Sequence, residues 1–133
     1  GMIMNPITFE LEKGTFGEIL VQLLLLQYGV QAAPPLKDSG NDLIAVRGEC
    51  FRAIQVKTTS KKRINVNNLP NLYHILALVF LDPDADEDNL KLDSCRIFLL
   101  SCENVKKTCY SAEELGDYEM NRSHVNILFE TKT

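Results

Sequence analysis

Apolar and polar residues follow two periods along this chain, and the change of period marks its elements. From Phe16 to Tyr28 strong helix formers carry apolar residues at Phe16, Ile19, Leu20, Leu23 and Leu24, the spacing of a helical face turned to a core. Gly29 then supplies the stop that helix C-termini favour. The start is open: Asn5 can cap with Pro6 in the first turn, or the helix can begin at Thr15, because Gly14 and Gly17 both disfavour helix between them. Val30 to Ala33 is a short extended segment ended by Pro34 and Pro35, and Lys37 to Asn41 is turn chemistry. Two strands follow, Leu43 to Arg47 and Phe51 to Thr58, with Gly48-Glu49 as their hairpin turn. They are apolar on both parities, which predicts central places in a covered sheet. His74 to Leu81 and Cys95 to Ser101 are further strands, joined across the acidic loop from Asp82 to Asp93. Ser111 to Glu114 has the form of a capping box that opens a short helix from Ala112 to Tyr118, and Val125 to Glu130 reads as a last strand or edge element. The order predicts an α/β domain with a mixed central sheet flanked by helices.

Length and composition narrow this only a little. At 133 residues the chain has room for one domain with one sheet and a few helices, taken as residues 2–133, since Gly1 ahead of Met2 has the look of a tag-removal remnant. The longest apolar run, Ile19 to Leu26, is broken by Gln22 and falls short of the roughly 20 residues that span a bilayer, so no membrane role is expected. No charged segment and cleavage site open the chain, and a cytoplasmic location is expected. Cys50, Cys95, Cys102 and Cys109 form no CxxC pair, which favours reduced thiols over zinc ligands. A net charge of -4 is unlike a typical nucleic-acid binder, but the charge is uneven: Lys57, Lys61, Lys62 and Arg63 cluster mid-chain, away from the block at Asp82, Asp84, Asp86, Glu87 and Asp88.

Candidate chemistry lies in the first hairpin. If its turn is two residues, Arg47 faces Cys50 and Asp42 lies opposite Gln55 across an antiparallel ladder. Side chains alternate along a strand, so Lys57 projects with Gln55, and Asp42, Gln55 and Lys57 gather at one end of the hairpin. A three-residue turn would move Asp42 to the other face. Two explanations fit such polar residues among Ile44, Ala53, Ile54 and Val56: a salt bridge between Asp42 and Lys57, or a reactive site.

The stretch Gly40 to Val46, followed by Ala53-Ile54-Gln55-Val56-Lys57-Thr58, resembles the D-x(n)-(E/D/Q)-x-K hairpin of the PD-(D/E)XK nuclease superfamily. Lys13-Gly14-Thr15-Phe16-Gly17-Glu18 and the apolar helix after it resemble the first helix of the archaeal Holliday-junction resolvases in that superfamily. The resemblance covers residues 13 to 60. It implies the restriction-endonuclease-like fold and cleavage of phosphodiester bonds, in DNA rather than RNA, by a homodimer. It further implies a catalytic set of Glu18, Asp42, Gln55 and Lys57, and a Mg2+ or Mn2+ ion held by Asp42, Gln55, the Val56 carbonyl and Glu18. Gln55 departs from the usual acidic residue; an amide oxygen ligates a hard cation without charge, so metal affinity should fall. Lys57 would orient the attacking water and balance charge on the transition state. Lys61, Lys62 and Arg63 follow the motif strand, where they can hold a nucleic-acid backbone or form a solvated loop. A catalytically impaired nuclease-fold module that binds nucleic acid or a protein is the alternative.

Three patterns have simpler readings. Thr15 and Glu18 have the spacing of a capping box, so Glu18 can be a cap instead of a ligand. Asp82, Asp84, Asp86 and Asp93 imitate positions of an EF-hand loop, but Glu87 stands where that loop turns on glycine, so a hydrated connection is expected. His74 and His124 have no nucleophile arrangement nearby and are expected to be structural.

Overall fold

The computed structural model describes residues 9–37, 40–86 and 88–130, with side chains from Lys13 onward. Helix α1 (Phe9–Leu26) leads into a five-stranded sheet of β1 (Gln31–Ala33), β2 (Leu43–Arg47), β3 (Cys50–Thr59), β5 (Ile75–Phe80) and β6 (Arg96–Ser101), in that spatial order. A ribbon of β4 (Arg63–Asn65) and β7 (Cys109–Ser111), a 3-10 helix (Ala112–Tyr118) and helix α2 (Arg122–Leu128) complete the described elements named here. The sheet is mixed as expected, since β3 and β5 run parallel while the other neighbours are antiparallel. Residues 60–74 form the crossover that this parallel pair requires, with β4 inside it.

Each face of the sheet buries its own apolar layer. Leu20, Val21 and Leu25 of α1 pack with Leu43, Ile54, Ala77 and Leu99 on one face, closed by Val125 and Phe129. Ile64, Val66, Tyr110 and Leu115 cover Leu76, Leu78, Phe80, Phe98 and Leu100 on the other. Alternation along β3 follows: Ile54 and Val56 belong to the α1 layer, while Gln55 and Lys57 stand beside Leu76 and Leu78 of the opposite layer.

Several expectations are corrected. The buried face of α1 runs through Leu20, Val21 and Leu25, whereas Ile19 and Leu23, read as core, are 53% and 56% exposed. An apolar run with almost no polar residue does not reveal its inner side; a contact with glycine does. A Cβ on Gly17 would meet Thr58 Oγ1 at 1.8 Å, so the helix lies on β3 through that glycine. Thr15 lies inside α1 and starts nothing, because the helix already runs at Phe9; the Asn5 and Pro6 start falls outside the described residues. Val125 to Glu130 is not a strand. Asn121 Oδ1 accepts from the backbone N of His124 at 2.8 Å and caps α2, while Arg52 donates to the carbonyls of Leu128 (3.0 Å) and Glu130 (3.2 Å) at its C-terminal end. The sequence signal for a helix here is the cap at Asn121, four residues before Val125. The segment opened by Ser111 is helical as expected but of 3-10 type, with Glu114 Oε2 accepting from Ser111 N and Oγ at 3.0 and 3.1 Å.

Candidate active site

The hairpin turn is two residues long, with Gly48 at a φ of +61° that its first central position demands. Arg47 faces Cys50 and Leu43 faces Ile54, so Asp42, one step beyond, stands opposite Gln55 as parity requires. Its backbone N donates to Ile54 O at 3.1 Å, after which β2 has ended while β3 continues to Thr59. The Asp42 carboxylate takes the place of the missing strand: Oδ2 accepts from Val56 N at 2.8 Å. Within a strand the N–H and C=O of one residue point to the same side, so the Val56 carbonyl shares this open edge with Asp42.

Glu18 approaches from α1 because Gly17 lets the helix lie directly on β3. With Thr15 inside the helix, the side chain of Glu18 is not part of a cap and is half-buried. Burial first, and the charge of Asp42 second, raise its carboxyl above the ordinary 4.5. Two carboxylates from separate elements therefore share one field at the edge of β3. A raised carboxyl holds its proton more tightly in the folded state, so ionised Glu18 weakens the metal-free fold above its folded pKa, and the penalty disappears as pH falls below 4.5. Metal-free protein is expected to lose stability relative to Glu18→Gln as pH rises from about 4 to about 8. Thermal unfolding of both proteins across that range checks it; parallel pH profiles would contradict the juxtaposition.

Gln55 is 6% exposed, and its Nε2 donates to Gly40 O at 2.7 Å and to Asn41 Oδ1 at 3.1 Å. The amide thus anchors the loop that delivers Asp42. A glutamate could not donate to the Gly40 carbonyl, which gives a physical reason for an amide here. Gln55→Glu, the change toward the usual motif, is expected to destabilise the fold by about 1–3 kcal/mol through the lost donors. Urea unfolding measures this; a glutamate variant as stable as the parent would remove the anchoring role.

Lys57 shares the face of Gln55 and forms no salt bridge among the described residues, so the Asp42–Lys57 ion pair is not formed. It lines a cleft of about 280 Å3 with Lys13, Ser60, Lys61 and Arg63. Lys61, Lys62 and Arg63 are exposed at the β3–β4 turn, where Arg63 Nε reaches Cys109 Sγ at 3.3 Å. Lys13, whose Nζ donates to Ser60 Oγ at 2.9 Å, was not singled out from the sequence, although it stands little more than one helical turn before Glu18.

The remaining motifs are structural. Asp82 Oδ1 accepts from Asp84 N, and Asp86 Oδ1 accepts from Asp88 N and Asn89 N, at 2.8–2.9 Å; the acidic loop spends these carboxylates on its own backbone. His74 Nδ1 accepts from Ala53 N at 2.8 Å and His124 Nε2 lies 2.6 Å from Leu99 O. The four cysteines are free thiols. No helix among the described residues is long and apolar enough to cross a membrane.

No protein-family model matches the chain, and no curated protein matches it. Solved structures do. A bacterial homing endonuclease, I-Ssp6803I, superposes with a TM-score of 0.61 at 16% identity, covering 91% of each chain. The Holliday junction resolvase Hjc of the archaeal hyperthermophile Archaeoglobus fulgidus superposes with a TM-score of 0.59 at 16% identity, over 85% of this chain and 94% of its own. The chain shares the fold of these two structures, the mixed α/β restriction-endonuclease-like fold. Within this fold, Asp42 lies just ahead of the first residue of β2, beside β3, and Glu18 of α1 feels its charge. Among the described residues no three His, Cys, Asp or Glu side chains gather as a metal-ligand group; Asp42 and Glu18 are the carboxylates near this edge.

Proposed function

We propose that this chain is a metal-dependent endonuclease that hydrolyses DNA phosphodiester bonds, with its reaction centre at Glu18, Asp42, Gln55, Val56 and Lys57. The observation that carries the reading is the pair of carboxylates, Asp42 fixed on the β3 edge by Val56 N and Glu18 pressed toward it with a raised carboxyl. Two carboxylates that feel one another's charge, with no ion pair to either among the described residues, suit a divalent ion, and an all-oxygen donor set suits Mg2+ or Mn2+ better than zinc. Asp42, Glu18 and the Val56 carbonyl would hold it, with the Gln55 amide oxygen as a neutral donor. When bound, such an ion supplies Lewis acidity at the phosphoryl oxygen and lowers the pKa of a water.

The chain's own residues supply the rest. The bond from Val56 N keeps Asp42 in one orientation, Gln55 keeps its loop in place, and Lys57, free of any ion pair among the described residues, can donate to a non-bridging phosphate oxygen as charge builds in the transition state. Water adds to phosphorus and a P–O ester bond breaks, leaving a phosphate monoester and a hydroxyl. DNA as substrate draws support from the neighbours, a homing endonuclease and a Holliday junction resolvase. A homodimer belongs to the same reading, because one site on a chain of 133 residues covers little of a duplex and a symmetric pair presents two.

The second reading is a nuclease-fold module that binds without cutting, favoured by the neutral Gln55 and the net charge of -4. Incubating labelled four-way junction, duplex and single-stranded DNA with the protein in Mg2+ or Mn2+ separates the two. Cleavage of any of these DNAs supports the enzyme; complexes that form and leave every strand intact in both metals support the module.

A further inference from the structure

We propose that the outer face of α1 and the groove beside it are where two copies of this chain meet. The face rests on the homodimer reading for its occupant and on no step of catalysis. Ile19, Leu23 and Leu26 are 53%, 56% and 54% exposed. Spaced four and three residues apart, they form one ridge along α1, on the side turned away from the core residues Leu20, Val21 and Leu25. Half-exposed side chains of this size leave on the order of 100 Å2 each, and about 300 Å2 of contiguous apolar surface is the scale at which a patch is often functional.

Beside the ridge, a groove of about 690 Å3 separates α1 from β1 and reaches Ile44 and Val46 of β2. Its described lining residues are apolar apart from Gln22 and Gln31, and none of them is charged, so a DNA backbone meets no cation there and a charged protein no counter-charge. β1 is also the outer strand of the sheet, and its sequence Gln31-Ala32-Ala33 lacks the charge that guards an exposed edge. Pro34 and Pro35, directly after it, stop a long added strand but not a helix laid across it. The occupant that fits is α1 of a second copy. Ridge and groove lie side by side on one face, so a two-fold axis between them seats each ridge in the other copy's groove, an isologous contact made by ridges-into-grooves packing. Two ridges together bury about 600 Å2, and the groove walls and β1 add to this toward the roughly 1,200 Å2 at the low end of stable interfaces. The dimer is therefore one that dissociates on dilution.

Sedimentation equilibrium of the full chain over a wide range of protein concentration tests this, with no DNA or metal present. The parent is expected to pass from monomer to dimer as concentration rises. Leu23→Glu on the ridge and Ala33→Glu in the groove should each weaken the dimer about 10-fold or more, whereas Ile127→Glu, at an apolar residue 67% exposed on α2, should leave it unchanged. Leu23→Ala, which keeps a strong helix former on α1, is read in the same way should a glutamate variant not fold. Thermal unfolding of each variant identifies those that do fold. A parent that stays monomeric at every concentration overturns the face, and so does a dimer that the folded ridge and groove variants form as tightly as the parent. Failure here is separable from failure of the nuclease reading. A monomeric parent that nicks supercoiled DNA in Mg2+ overturns the dimer face alone, and a dimer that Leu23→Glu dissociates but that cuts no DNA supports the face while the catalytic reading falls.

Discussion

Asp42→Asn is expected to lower DNA cleavage by about 10^3-fold, the scale of losing several kcal/mol of transition-state stabilisation, while leaving the fold in place. The two effects separate because the bond Asp42 makes in the structure needs only an acceptor oxygen, whereas the proposed metal site needs its charge. Its Oδ2 accepts from Val56 N at 2.8 Å, and an asparagine carbonyl oxygen can accept the same bond, so the loop and the β3 edge keep their geometry. Removing the charge weakens that hydrogen bond but also frees Glu18 from repulsion, which allows the Glu18 carboxyl to fall back toward 4.5. These opposed changes should leave unfolding free energy within about 1 kcal/mol of the parent. Any stabilisation that Mg2+ gives the parent should shrink in the variant, because binding to the folded state alone raises stability by mass action. Cleavage rates, urea unfolding and melting with and without Mg2+ on the same preparations check all three. A variant that cuts as fast as the parent would displace the reaction centre from this edge; a variant that fails to fold would show that Asp42 is structural first.

The second large effect is on stability. Gly17→Ala is expected to destabilise the protein by about 1–3 kcal/mol, the usual scale of overpacking. A Cβ at Gly17 would stand 1.8 Å from Thr58 Oγ1 and 3.0 Å from Thr58 Cβ, so α1 must lift away from β3. Lifting the helix opens the Leu20, Val21 and Leu25 layer and moves Glu18 from Asp42, so cleavage should fall with stability. Thr58 Oγ1 is the buried side-chain oxygen or nitrogen that lacks a hydrogen-bond partner among the described residues. Thr58→Ala removes that hydroxyl and the nearest clash, and the double variant should recover part of the lost stability, leaving a positive coupling in a double-mutant cycle. Thermal and urea unfolding of the four proteins give the answer. Additive losses would mean that the glycine and the threonine do not meet.

These two positions also show what the sequence reveals and what it hides. The hairpin is legible because it is local: a two-residue turn, period-two alternation and the Gln55-x-Lys57 pair set register within residues 42–57, and the ladder follows them. Strand parity therefore predicts Asp42 opposite Gln55. The helix face is not legible, since Ile19 to Leu26 offers a single polar residue in Gln22 and any side could be inward. The deciding contact, Gly17 on Thr58, joins residues far apart in the chain. The same holds for α2, whose apolar residues suit a strand equally well until the cap at Asn121 and the Arg52 contacts are seen. Glu18 could be cap or ligand on spacing alone; where α1 begins removes the cap, and the field of Asp42 supplies its neighbour. Lys13 needed the crossover that brings Ser60 beneath the helix.

The most direct test of a metal-dependent reaction centre at Asp42 and Glu18 is to add Mg2+ stepwise to metal-free protein mixed with supercoiled circular DNA, then to chelate the ion. Nicked and linear DNA that accumulates with Mg2+ and stops accumulating on chelation is the predicted result. Circular DNA that stays supercoiled at every Mg2+ concentration, and equally with Mn2+, would contradict it.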